Sequence, residues 1–153
     1  MRLPGAPFCP EAQGAGYGKN VVVSLILNIL WFIFGGFAAG AAWLVGAAVL
    51  AITIIGLPWA GAAVRIGLFS FAPFGRQVVD RQNVTGREDL GTGDLGIILN
   101  VVWLVFAGWY IALAHLVVGV ALMVSLIGIP FGIQHFKLAI IALAPVGKTV
   151  VRA

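Results

Sequence analysis

Formal charge is what this chain has least of. Of its 153 residues, nine are Lys or Arg, five are Asp or Glu and 61% are hydrophobic, whereas a soluble domain carries about 25% charge and about 45–50% apolar residues. With a mean hydropathy of +1.09, a chain this short cannot hide its apolar surface in one water-soluble core. Cysteine is nearly absent as well: Cys9 alone excludes an intrachain disulfide and lacks the partners of a zinc site. All five acids, Glu11, Asp80, Glu88, Asp89 and Asp94, lie outside the apolar blocks. No carboxylate is therefore placed in the membrane to act as acid, base, nucleophile or proton carrier. A Gly-rich phosphate loop and a Ser/His/Asp set are also missing. The chain reads as a non-enzyme without a cofactor or a metal.

What is there is apolar length. Between Lys19 and Arg65 lie 45 residues without a formal charge, and between Asp94 and Lys137 lie 42 more when His115 and His135 are neutral. A spanning helix needs about 20 residues, so each run suffices for two, and the first is too long for a signal peptide. Residues 1–18, rich in Pro and Gly, read as a disordered leader ahead of a first membrane repeat at 19–75. A polar connector at 76–94 and a second repeat at 95–153 follow. If each repeat crosses an even number of times, the N-terminus, the connector with Arg76, Arg81 and Arg87, and the C-terminus with Lys148 and Arg152 share the cytoplasmic side. An odd number of crossings makes the repeats inverted.

The two blocks are copies. Residues 25–79 and 97–151 align at a constant offset of 72, bringing Asn28 onto Asn100, Trp31 onto Trp103, Pro58 onto Pro130 and Gly75 onto Gly147. Each copy divides into three pieces, in the first about Val21 to Gly36, Trp43 to Leu57 and Trp59 to Phe74, with proline ending the second piece. The expected architecture is an all-α integral membrane protein of two tandem repeats, each a short transmembrane hairpin followed by an interfacial or re-entrant helix. The Trp and Tyr residues near Gly36–Trp43 and Gly108–His115 place the hairpin apex at the far interface. No polar loop separates the first two pieces, so one long tilted helix per repeat is the alternative.

Few polar side chains remain inside the blocks. Arg65 and Lys137 are equivalent; they belong to an interfacial helix that snorkels to anionic headgroups, or to a re-entrant segment lining a water-filled path. Asn28 and Asn100 hydrogen-bond each other across a two-fold axis, or line a pathway. His115 and His135 fall where the first repeat has Trp43 and Ala63, and read as isolated hydrogen-bonded or interfacial residues. Gly36-x-x-x-Gly40 and Gly128-x-x-x-Gly132 allow close helix approach, within a subunit or between subunits.

The runs Leu27-Asn-Ile-Leu-Trp-Phe-Ile-Phe-Gly-Gly36 and Leu99-Asn-Val-Val-Trp-Leu-Val-Phe-Ala-Gly108, with Ser125-Leu-Ile-Gly-Ile-Pro-Phe-Gly132 and Pro145-Val-Gly-Lys148, resemble the YccF family of bacterial inner-membrane proteins. The resemblance covers about residues 25–152 and implies an inner-membrane location and a paired domain. It implies no catalytic residues. Two functions fit the residues. One is an oligomeric channel or transporter-like assembly for small ions, anions favoured by the bases and Asn28, Asn100, Arg65 and Lys137 as lining. The other is a structural or accessory module that binds anionic lipid or a membrane partner, anchored by Arg76 and Lys148. Nucleic acid is a poor partner for bases spread along membrane edges.

Overall fold

The computed structural model describes residues 11–89 and 91–153, with side chains from Val21 onward. Cys9 and most of the proposed leader lie outside the described residues; the backbone from Glu11 is already helical. The protein is a helical integral membrane protein built from two repeats. Helix α1 (Glu11–Trp31) passes through a π turn, Phe32–Gly36, into α2 (Phe37–Ile52), and α3 is Leu57–Phe71. Strand β1 (Arg76–Asp80) and the short α4 (Arg81–Thr85) follow. The second copy is α5 (Asp94–Trp103), a π turn at Leu104–Gly108, α6 (Trp109–Met123), α7 (Ile129–Leu143) and β2 (Lys148–Arg152).

The pieces pair differently from the expected hairpin. No apex forms at Gly36–Trp43 or Gly108–His115; the chain runs on as one rod, Val21–Ile52 in the first repeat and Asp94–Met123 in the second. The physical reason is the solvent. Without water, a backbone is satisfied most cheaply inside a helix, and a stretch without proline has nothing to stop it. Even Gly35, which leaves helical dihedrals and kinks the first rod, is bridged by the wider π bond from the Phe37 N–H to the Phe32 carbonyl. By length the first rod could cross a bilayer: its 32 residues rise about 48 Å, against a ~30 Å hydrocarbon core.

The reversal comes one piece later, at Thr53–Gly56 and Val124–Gly128. Proline sits in the first helical turn of α3 and α7, where its missing N–H has no helical partner to lose. Polar backbone at the turn is met from within: the Gly56 N–H donates to Thr53 Oγ1 at 3.2 Å, and its counterpart Gly128 to Ser125 Oγ at 3.0 Å. Around these hydroxyls Ile55 is 83% exposed and Leu126 86%, a surface that belongs in hydrocarbon.

Helix α3 then packs antiparallel along α2, and α7 along α6. Small residues set the spacing: a Cβ on Gly40 would strike the Phe71 ring, and one on Gly132 would meet Met123 and the Gly119 carbonyl. Both contacts lie within one chain. Gly36 and Gly108 serve a different purpose, making room for the indoles of Trp31 and Trp103 on their own rods. The third piece is thus the centre of the molecule. On α3 only Leu57, Pro58, Gly61, Val64 and Leu68 are exposed, whereas α2 buries little beyond Gly40, Trp43 and Ala47.

A two-stranded antiparallel sheet, absent from the all-helical expectation, closes the structure. Val78 pairs with Val150, and Arg76 with Arg152. Val150 is the counterpart of Val78 at the offset of 72, so a local two-fold axis passes between them. Gly75 and Gly147, both at positive φ, turn the chain from helix into strand.

Candidate functional site

Three hydrogen bonds, repeated in both copies, tie each rod to the end of its short helix. Asn28 Nδ2 donates to the Phe74 carbonyl at 3.0 Å while the Phe74 N–H donates to Asn28 Oδ1 at 2.9 Å. Asn100 makes the same pair with Val146, at 3.1 and 3.0 Å. Three residues on, Trp31 Nε1 donates to the Ser70 carbonyl at 2.6 Å and Trp103 Nε1 to the Ala142 carbonyl at 2.7 Å. Ser70 and Ala142 lie in the last turns of α3 and α7, whose carbonyls have no partner within the helix. The Asn-x-x-Trp motif is therefore a clamp that closes a helix end from a neighbouring rod. It also corrects the expected amide pair: Asn28 and Asn100 do not meet, because each is fully engaged by the backbone of its own repeat.

Across the axis the repeats interlock. Trp31 stacks on Phe131 at 6.3 Å, and the equivalent pair, Trp103 on Trp59, stands at 6.4 Å. Trp59 Nε1 donates to the Leu99 carbonyl at 3.0 Å. The start of α3 thus lies at the clamp of the second repeat, and the start of α7 at the clamp of the first, so α3 and α7 run in opposite senses. Val78 and Val150 mark the axis on the sheet side. On the α2/α6 side, Trp43 faces its counterpart His115 with rings 6.5 Å apart and nearly parallel.

The charges gather on the sheet side. Lys148 Nζ meets Asp80 Oδ1 at 2.6 Å, and Arg81 forms a two-pronged bond with Asp89, both at 2.6 Å. That guanidinium, with the Gly91 N–H, holds the Asp89 carboxyl below the usual carboxylate range. Arg65 lies at the same level, half-buried beside Ala62, Ile66, Val78, Val150 and Lys148, with its Nε lacking a hydrogen-bond partner. Lys137 is half-buried at the equivalent point of α7. Arg76 stands at the exposed outer end of β1, opposite Arg152.

Two features escaped the sequence. Gln134, where the first repeat has Ala62, is buried with its Oε1 unpartnered. The histidines are not isolated: His115 Nδ1 and His135 Nδ1 are 3.1 Å apart. Their spacing of 20 residues carries no periodic signal, so only the antiparallel packing of α6 on α7 brings them together. Among the described residues no group of three or more His, Cys, Asp or Glu converges to hold a metal. Within the helices Asn28, Asn100, Trp31 and Trp103 are spent on the clamp and the histidines on each other, while Gln134 Oε1 and Arg65 Nε stay unpartnered.

Similarity to known proteins agrees with this architecture. The family model described as the inner membrane component domain, YccF, matches twice, over residues 26–76 and 98–148. The chain is 43% identical over 129 residues to the inner membrane protein YccF of Escherichia coli (strain K12), covering 82% of this chain and 86% of that one, and equally so to the protein of that name in Shigella flexneri. No solved structure matches.

Proposed function

Given that the chain belongs to the YccF family of inner-membrane proteins, we propose that it is a non-transporting structural module whose charged sheet lies on the anionic cytoplasmic surface while both rods are immersed in lipid. The observation that carries this reading is the position of the local axis. The axis enters through a sheet bearing Arg76, Asp80, Lys148 and Arg152, and leaves between apolar α2 and α6. Set along the membrane normal, it puts connector and C-terminus together on the cytoplasmic face, as the positive-inside rule favours. Because α3 and α7 run in opposite senses across it, it then lays the helices along the membrane rather than through it. Set in the membrane plane, it would carry those charges to mid-bilayer at about 2.5–3.5 kcal/mol each.

The lining argument for a channel is also weakened at three of its four members. Asn28 and Asn100 are consumed by backbone bonds, and Arg65 turns toward the sheet rather than into a cavity between the rods. Anionic headgroups are the partner that suits Arg76 at the membrane edge, whereas Lys148, expected as a second anchor, is already paired with Asp80.

The test combines topology with flux. In a Cys9→Ser background, Gln82→Cys should resist a membrane-impermeant maleimide in intact spheroplasts and react in inverted vesicles. Purified protein in liposomes should leave them tight to small anions and cations. Selective conductance that changes on Asn100→Ala or Lys137→Ala would instead establish the oligomeric conduit, and labelling of Gln82→Cys from the periplasm would reverse the orientation.

A further inference from the structure

Repeat symmetry makes the histidines conspicuous. At the two equivalent positions the first copy has Trp43 and Ala63, so the His115–His135 contact occurs once in an otherwise duplicated body. Its surroundings are indole and alkyl. The Trp43 ring is stacked on His115, and the Trp31 ring lies 5.0 Å from His135. Both indoles belong to the first repeat and both imidazoles to the second, so the pair is wedged into the contact between the halves. On one side His115 lines a cavity of about 210 Å³ with Trp43, Trp103 and Ala63. On the other, His135 lines one of about 230 Å³ with Trp31, Ser125 and Phe131.

Hydrogen-bond bookkeeping then limits what the pair can do. In the neutral state one Nδ1–H donates to the other Nδ1 lone pair, which fixes opposite tautomers. The donor ring keeps a free lone pair on Nε2, and the acceptor ring carries an Nε2–H. Neither ring hydrogen-bonds any other group among the described residues. The helices packed around the pair face it with Trp31, Trp43, Trp103 and Ala63. The formal charges on these short helices, Arg65 of α3 and Lys137 of α7, make no hydrogen bond to either imidazole.

We propose that His115 and His135 form a binding site for one proton, taken up by the pair as a unit and held against the indoles of the first repeat. The incoming proton adds to the free Nε2 lone pair of the donor ring, giving an imidazolium whose Nδ1–H still donates to its neighbour; the bond survives and becomes charge-assisted. A second proton would have to take the acceptor lone pair, breaking that bond and placing two cations in contact, so the site saturates at one. The His135 ring lies 5.0 Å from Trp31, within the ~6 Å reach of a cation–π contact, whereas His115 stands 6.5 Å from Trp43, just beyond it. The inference does not rest on the protein being a non-transporting module.

The full chain in lipid nanodiscs, with 15N-labelled histidine, is titrated from about pH 8 to about pH 4 and read by 15N chemical shift and tryptophan emission. The expected result is one proton per chain, with a hydrogen-bonded Nδ1 signal on both sides of the transition and a tryptophan emission change at the same midpoint. His135→Ala, which installs the residue of the first repeat, and His115→Phe should each lose the coupled signal and shift the midpoint of the remaining ring. Independent uptake of two protons, wild-type titration without an emission change, or unshifted midpoints in both variants would overturn the proposal. Should a variant fail to fold, the wild-type nitrogen shifts decide alone, since a coupled and an uncoupled pair differ there.

Discussion

Replacing Asn28 or Asn100 by alanine removes two hydrogen bonds and strands the N–H and C=O of Phe74 or Val146 at the mouth of a lipid-facing helix pair. A polar contact between membrane helices is worth about 0.6 kcal/mol on average and up to about 1.7, whereas a buried group left without a partner costs about 1–3 kcal/mol. Two groups are stranded, but both sites are half-buried next to the sheet, where water relieves part of the cost. The expected destabilisation is about 2–4 kcal/mol for either variant, on these same figures. Asn→Asp should fall between, since the carboxylate still accepts from the backbone N–H but no longer donates to the carbonyl. The assay is reversible unfolding in mixed micelles at rising SDS fraction, followed by circular dichroism. A loss under about 0.5 kcal/mol in both alanine variants would show that the amides do not clamp the rods, because even one average contact exceeds it. Equal losses for the two variants are the signature of a duplicated role.

Other outcomes follow from single positions. Ile54 is β-branched yet sits at φ 59°, so Ile54→Gly should stabilise the first turn by about 1 kcal/mol in the same unfolding assay; a loss would mean that its side chain packs. A Cβ on Gly147 would collide with the Gly91 carbonyl, and its φ is +84°. Gly147→Ala should therefore cost about 1–3 kcal/mol and speed proteolysis of the connector, whereas wild-type cleavage rates would contradict the close approach. Asp89 titrates below its unfolded value. Its contribution is fully present above the ordinary carboxylate range and disappears as pH falls through the depressed folded value. Hydrogen exchange over residues 86–93 should accelerate across that window in wild type and be pH-flat, after correction for intrinsic rates, in Asp89→Asn.

Much of this was legible before any coordinates. The membrane class, the duplication and the proline breaks follow from composition and spacing, because hydropathy and proline geometry act locally. The clamp was half visible. Asn-x-x-Trp recurs at the offset of 72, yet an amide in hydrocarbon announces only that it needs a partner. Its partners, Phe74 and Val146, are backbone groups 46 residues away, and any residue type offers the same N–H and C=O.

Sequence alone thus determined the solvent of this protein and the fact of two like halves, since both depend on side-chain chemistry summed along short stretches. Tertiary structure decided which pieces pair, that α3 and α7 form the centre, that a sheet joins the halves on the axis, and that two unrepeated histidines meet. Those outcomes rest on antiparallel packing across a two-fold axis. When nearly every residue is apolar, alternative helix pairings bury nearly the same surface, and the choice falls to a few hydrogen bonds and glycine contacts that become visible only once the chain has folded.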